Sequence, residues 1–326
     1  MLKLDVPPKY KAAAVQASPV FLDLEASVDK ACGLIREAAA NGAKLIALPE
    51  VFLAGGPYWA WHLPMGRGGA FSAELFRNAV EVPGPVVTVL GQAAREAQAY
   101  VVIGVNERDG KTLYNTLLYF SPSGELLGKH RKFRPTGPEK LVWGDGDGST
   151  HEVYDTAVGK LGGLICGEHT MSLPAYTLAA MGEQVHVAAW LGFTLADRSL
   201  AEICSRYHAI AHNTYVLCSQ LVVGQDVLDR LGLTREQQPV NAWTAIIEAG
   251  SGKLLTEPLS WDQEGIVYAD IDLGAAIPKY FIHESTGHYW PKPFSVVFDD
   301  RAKAPVRRLA PPVKNLVWEE PPDQED

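Results

Sequence analysis

The chain has 326 residues, 47% of them hydrophobic and 21% charged, with a mean hydropathy near zero, so it carries a substantial core and falls outside the disordered and collagen-like classes. Twenty-nine basic against 38 acidic side chains give a formal charge of −9 without a basic run, which argues against nucleic acid and anionic lipid as partners. No apolar run reaches the roughly 18 residues of a membrane helix, and the N-terminal MLKLDVPPKY lacks the apolar stretch of a secretory signal, so a cytoplasmic protein without membrane association is expected.

In chain order, residues 11–17 read as a short buried strand. Residues 26–40 place Val28, Ala31, Cys32, Ile35, Ala38 and Ala39 at helical spacing, and Asn41-Gly42 closes that helix. Lys44–Leu48 is the next strand, stopped by Pro49. The Gly-, Pro- and aromatic-rich stretch 51–70 has no period and reads as a long shaped loop. Helices are expected at 71–79 and 86–98, and strands at 100–106, 114–120 and 125–128. Beyond the loop 129–150 the pattern predicts strands at 152–157 and 161–165, a helix at 172–182 and a strand at 185–190. An amphipathic helix follows at 197–212 with Leu200, Ile203, Tyr207 and Ile210 on one face, then a strand at 214–219 and strand pairs near 241–247 and 264–271. This alternation predicts an α/β fold in a single domain, 1–302. The remaining 303–326 holds five prolines, ends in EEPPDQED, and reads as an extended C-terminal arm, disordered or lying on a neighbouring subunit.

Four cysteines (Cys32, Cys166, Cys204, Cys218) with no C-x-x-C pair make neither a disulfide scaffold nor a zinc ribbon, so reduced thiols are expected. Three polar residues stand at or just after the carboxyl ends of expected strands, where α/β folds place reactive groups: Glu50, Lys132 and Cys166. A thiol needs a base or a positive field to become a nucleophile. A shielded glutamate gains a pKa suited to moving protons, and a lysine can hold negative charge on the attacked atom. Each residue also has a plainer reading. The cysteine could be structural, the glutamate salt-bridged, and the lysine part of a solvated face with Lys129, His130 and Arg131.

L-P-E-V-F at 48–52, H-R-K-F-R-P-T at 130–136 and G-G-L-I-C-G-E-H at 162–169 resemble, in order and spacing, the three motifs of the carbon–nitrogen hydrolase (nitrilase) superfamily. Supporting segments are A-V-Q-A-S-P at 14–19, I-G-V-N-E-R at 103–108, L-Y-N-T at 113–116, E-K-L-V-W-G-D-G-D-G-S at 139–149, E-Q-V-H-V at 183–187 and G-H-Y at 287–289. The similarity spans about 10–292 and is greatest to true nitrilases. It implies a four-layer α-β-β-α sandwich and hydrolysis of a nitrile, aromatic or arylaliphatic, to acid and ammonia through a covalent thioimidate and thioester. It also implies Cys166 as nucleophile, Glu50 as general base, Lys132 as stabiliser of the tetrahedral intermediate, Glu139 as an orienting acid, and the Gly167 N–H as an oxyanion donor. Neither a metal nor an organic cofactor is implied, and the partners implied are the nitrile, water and further copies of the chain, as a homodimer or a larger spiral. Many nitrilases carry tryptophan where this chain has Gly167, which removes a wall from the pocket, and Pro138 precedes Glu139.

Tyr58, Trp59 and Trp61 after Glu50, and Trp190, are pocket candidates, with Tyr58 and Trp190 favoured by the resemblance. His208 and His212 have the i, i+4 spacing of a metal pair but lack the glutamate of H-E-x-x-H, and Gly144–Gly148 lacks the terminal acid of a calcium loop. His169, three residues after Cys166, is read as structural. Alternative functions are an amidase, a carbamoylase or an amide-releasing nitrile hydrolase of the same superfamily and, more remotely, a non-catalytic assembly protein.

Overall fold

Alternation along the first strand sets the layering. In the computed structural model, which describes residues 6–192, 199–239, 241–282 and 284–303, the strands in chain order are β1 (Lys9–Gln16), β2 (Ala43–Ala47), β3 (Val80–Glu81), β4 (Tyr100–Asp109), β5 (Thr112–Phe120), β6 (Leu126–Arg131), β7 (Tyr154–Thr156), β8 (Gly159–Ile165), β9 (Val185–Trp190), β10 (Tyr215–Gln220), β11 (Ala245–Ile247) and β12 (Gly265–Asp272). The helices are α1 (Leu24–Ala40), α2 (Trp59–His62), α3 (Met65–Arg77), α4 (Pro85–Ala97), α5 (Ser172–Ala180), α6 (Ser199–His212), α7 (Gln225–Leu231) and α8 (Leu273–Ala276). Successive strand residues point to opposite faces. Ala13 and Val15 of β1 enter one core with Val28 and Ile35 of α1 and Leu90 of α4, whereas Ala12 and Ala14 enter a second core facing the other sheet. Leu45 and Ala47 against Ile46, and Val102 against Val101 and Ile103, repeat the division.

One sheet has the order β12-β1-β2-β4-β5-β6, with β3 beside β4, and the other the order β11-β10-β9-β8-β7. The pairs β1/β2, β2/β4, β8/β9 and β9/β10 are parallel, with antiparallel strands towards the edges. Strands buried on both faces explain why β1, β2 and β9 read as nearly continuous apolar runs. Leu117, Tyr119, Ile165, Val187 and Leu217 fill the space between the sheets, while α5 and α6 cover the outer face of the second sheet through Leu178, Ala201 and Ala209. The result is the four-layer α-β-β-α sandwich expected from the resemblance.

Several boundaries differ from the sequence reading. The stretch 51–70 contains α2 and the start of α3, which begins at Met65 rather than 71 because Pro64 opens it while Gly66, Gly68 and Gly69 hide its period. β6 runs to Arg131, which brings Lys132 to its very end. The strands expected at 152–157 and 241–247 shrink to three residues each, and α7 and the two-residue β3 had no clear signal. The apolar face of α6 (Leu200, Ile203, Tyr207, Ile210) looks outward, and the helix packs inward through Ala201, Ser205, His208 and Ala209 instead. The arm expected at 303–326 lies, apart from Lys303, outside the described residues.

Candidate active site

Glu50 leaves β2 through Pro49 into a tight turn in which Val51 takes a positive φ of 40°. The turn is seated on β4, where the Gly104 N–H donates to the Pro49 carbonyl at 3.1 Å. A Cβ at position 104 would lie 2.4 Å from Pro49 O and Val51 N, so only glycine lets the two backbones meet. The glutamate is thereby fully buried. Lys132 comes off the end of β6, pinned by its N–H to the Asn115 carbonyl at 2.8 Å. Its Nζ donates to Glu50 Oε1 at 2.9 Å and to Glu139 Oε2 at 3.2 Å, with all three side chains buried. Glu139 sits in a short 3-10 turn, Gly137–Leu141, where its carboxylate also accepts from the Thr136 N–H at 2.8 Å. Pro138 fits the first turn of that element, where a missing N–H costs nothing.

Cys166 ends β8 at φ +49°, a left-handed conformation rare for a residue with a side chain, and opens a 3-10 turn, Cys166–Thr170. Two residues on, the buried Glu168 accepts from the Ile165 N–H at 2.8 Å, the Phe133 N–H at 2.7 Å and His130 Nε2 at 3.0 Å. One carboxylate thus ties the cysteine turn to the residues on either side of the Arg131–Lys132 pair. Asn115 is the polar neighbour that sequence reasoning did not single out. Its Nδ2 donates to Glu50 Oε1 at 2.7 Å, and the signal available was its place in L-Y-N-T.

Burial raises the Glu50 carboxyl against the pull of Lys132. Burial also opposes charge on Lys132, but Glu139, Glu50 and Cys166 outweigh it and hold the lysine well above its ordinary range. The Cys166 thiol is pushed well up by burial and then by Glu50, with Lys132 acting the other way. Two carboxyls flank one ammonium, so the surroundings disfavour a second negative charge and keep the resting sulfur protonated. Proton removal from the thiol therefore requires a base within the site, and Glu50, made more basic by its burial, is suited to it.

The remaining residues divide. Tyr58 is buried and its hydroxyl is held protonated by burial and by Glu50; neither that hydroxyl nor Trp190 Nε1 finds a hydrogen-bond partner among the described residues. Trp59 is buried and bonds Ser72, which makes it a packing residue. Gly167 faces Thr136, whose hydroxyl would lie 3.1 Å from an added Cβ. His169 turns away from the sulfur and meets the Cys166 main-chain oxygen at 2.8 Å. His208 bonds Glu183 and His212 bonds Ser285. In the Gly144–Gly148 segment Asp145 pairs with Arg134 and Asp147 caps a 3-10 turn.

A buried acid–ammonium–acid group close enough to a strand-end cysteine to shift its ionisation, set in a four-layer sandwich, defines a thiol hydrolase of carbon–nitrogen bonds. The chain belongs to the carbon–nitrogen hydrolase family, whose profile matches residues 11–278, and to its nitrilase branch. It is 42% identical over 319 residues to a nitrilase of Bacillus sp. (strain OxB-1), covering 95% of this chain and 94% of that one. It is 38% identical over 309 residues to an aliphatic nitrilase of Rhodococcus rhodochrous, covering 91% and 84%. A crystal structure from Saccharomyces cerevisiae, a member of branch 10 of the nitrilase superfamily, shares the fold with a TM-score of 0.70 at 22% identity, covering 86% of this chain and 97% of that one.

Proposed function

We propose that the protein hydrolyses a nitrile to a carboxylic acid and ammonia through a covalent intermediate on Cys166. The observation that carries this reading is Lys132 Nζ held between Glu50 and Glu139 beside the cysteine, fully out of water. In the first step the Cys166 sulfur adds to the nitrile carbon while its proton passes through Glu50 to nitrogen, giving a thioimidate. Water, losing a proton to Glu50, adds to that carbon. Lys132 and the Gly167 N–H hold the charge of the tetrahedral species, worth about 3 kcal/mol for one well-aimed donor. Glu50 carries the proton taken from water and then the one left on the added oxygen to nitrogen, the carbonyl forms as ammonia leaves, and a second water hydrolyses the thioester to free acid and thiol. Glu139 and Asn115 act by orientation, since both bond the pair that moves the protons.

Tyr58 and Trp190 support an aryl or arylaliphatic substrate: both are buried aromatics near this group with an unpartnered polar tip, a combination suited to a flat apolar ligand with one polar end. The exposed apolar residues Leu173 of α5 and Ile203 and Tyr207 of α6, each more than 60% exposed, support assembly with a second copy through this face. No helix among the described residues is long and apolar enough to cross a membrane. The test is a panel of benzonitrile, phenylacetonitrile, aliphatic nitriles and the corresponding amides, with ammonia and acid quantified. Acid and ammonia in equal amounts from an aryl or arylaliphatic nitrile are expected, with no turnover by Cys166→Ala. Turnover of amides alone, or an active Cys166→Ala, overturns the reading.

A further inference from the structure

Behind the cysteine turn lies a buried chain of side chains that the reaction above does not use. Glu183, just before β9, and His186 on β9 face α6 because alternate β9 residues point away from the other sheet. His186 Nδ1 meets Glu183 Oε1 at 2.8 Å, and His208 Nε2 meets Glu183 Oε2 at 2.9 Å. His186 Nε2 meets His169 Nε2 at 3.0 Å, and His169 Nδ1 meets the Cys166 carbonyl oxygen at 2.8 Å. His169 also stacks on Trp190, with ring centroids 4.9 Å apart and an interplanar angle of 22°.

The protons in this chain can be counted. A carbonyl oxygen only accepts, so His169 Nδ1 carries a proton; an ionised carboxylate only accepts, so His186 Nδ1 carries one as well. The facing Nε2 atoms then need one more between them to bond at 3.0 Å. Two neutral imidazoles supply two protons, and the arrangement requires three. We infer that Glu183 and His186 form a buried carboxylate–imidazolium pair and that His169, bonded to it, is a positioning residue that aims the Gly167 N–H at the developing oxyanion.

The link from His169 to Gly167 is the peptide itself. The Cys166 C=O and the Gly167 N–H belong to one planar trans unit and point in opposite directions. Anchoring the oxygen on His169 therefore fixes the donor's direction, and a charge-assisted chain anchors it more firmly than a neutral bond. The surroundings agree with one added proton and no more. Burial raises Glu183, but His186 and His208 outweigh it and hold the carboxyl far below the usual range. Burial lowers His208 to about 4, and His169 is lowered well below its ordinary value by burial and then by His186. The other titratable groups near His186 are His212, behind His208, whose ring burial lowers to about 3, and Tyr119 of β5, whose hydroxyl burial keeps protonated.

This assignment rests on the nitrilase reading with Gly167 as donor. The test uses the full-length enzyme with the best nitrile of the panel. His169→Phe keeps a ring against Trp190 and loses the donor, whereas His169→Asn can restore an N–H to the Cys166 oxygen. Expected are a fall in kcat of about 10- to 100-fold in His169→Phe with KM changed less than about 3-fold, and recovery of most of that loss in His169→Asn. In wild-type protein labelled with nitrogen-15 at histidine, His186 should show protons on both ring nitrogens, and His169 at Nδ1. Wild-type kcat in His169→Phe, a singly protonated His186, or a stoichiometric divalent cation taking the place of these protons overturns the inference. Should His169→Phe not fold, the labelled wild type decides alone. Cys166→Ala separates the two layers: if it is active the nitrilase reading fails, and if it is dead while the histidine results are negative, only the present inference does.

Discussion

At the residue scale, the charge around the sulfur makes a prediction opposite to intuition. Glu50 is the proposed base, yet its negative charge also raises the thiol. Glu50→Gln removes both influences at once. Turnover should vanish, while the pH at which iodoacetamide alkylates Cys166 at half its maximal rate should move down, because Lys132 is left to favour the thiolate. Pre-steady-state alkylation monitored by mass spectrometry checks this, and an upward move would contradict the field described here. Glu139→Gln should lower that pH by a smaller amount and keep partial activity. Glu50, Lys132 and Cys166 were legible in the sequence because each ends a strand inside a compact motif, and Glu139 because of its spacing from Lys132. Asn115 was not legible: an asparagine inside a strand looks like any buried polar residue until the strand's partner shows that it faces the carboxylate.

At the scale of elements, Glu168 joins the turn after β8 to the segment after β6 through two backbone N–H groups and His130. Burial raises its carboxyl, but His130 and the two N–H groups outweigh this and hold it below the ordinary range, so the ion is the form that holds the elements together. Glu168→Gln should cost about 1.5–3 kcal/mol, the worth of hydrogen bonds to a buried charge, seen in chemical denaturation. It should also reduce kcat by at least about tenfold through the misplaced lysine. Unchanged stability would show that the carboxylate is dispensable. The strands that form compact apolar runs, β1, β4 and β8, were legible in the sequence, as was α1, whose Asn41-Gly42 stop marks its end, although its Asp23 cap starts it two residues before the expected 26. The glycine-broken start of α3 and the short α7 were not, since neither presents a full apolar stripe. α6 and its apolar face were legible, but not the direction of that face: its larger apolar residues look outward, and its inner face is made of small and polar ones.

For the molecule as a whole, buried histidines couple folding to pH. Burial lowers His151 and His208 to about 4 and His212 to about 3. They are neutral in the fold and take up protons near pH 6.5 when the chain unfolds. The unfolded state thus binds more protons below that value, and stability is full above about pH 6.5 and is lost as pH falls towards 4, by about 1.4 kcal/mol per pH unit for each histidine. Thermal melts between pH 7.5 and 4.5 should show a steep decline that His151→Gln moderates; a flat profile would contradict it. The outward face of α5 and α6 carries a second prediction at this scale. Tyr207→Glu together with Ile203→Asp should shift sedimentation towards the monomer without unfolding the chain, and an unchanged sedimentation coefficient would place the assembly surface elsewhere.

Glu50 and Lys132 are delivered by strands of one sheet and Cys166 by a strand of the other, so the groups of the proposed reaction stand on the two sides of the seam of the sandwich. Leu117 and Tyr119 of β5 fill that seam in one buried cluster with Ile165, the residue before the cysteine. Thinning or thickening this filling by a methylene would retune the chemistry from within, with every reacting group left in place.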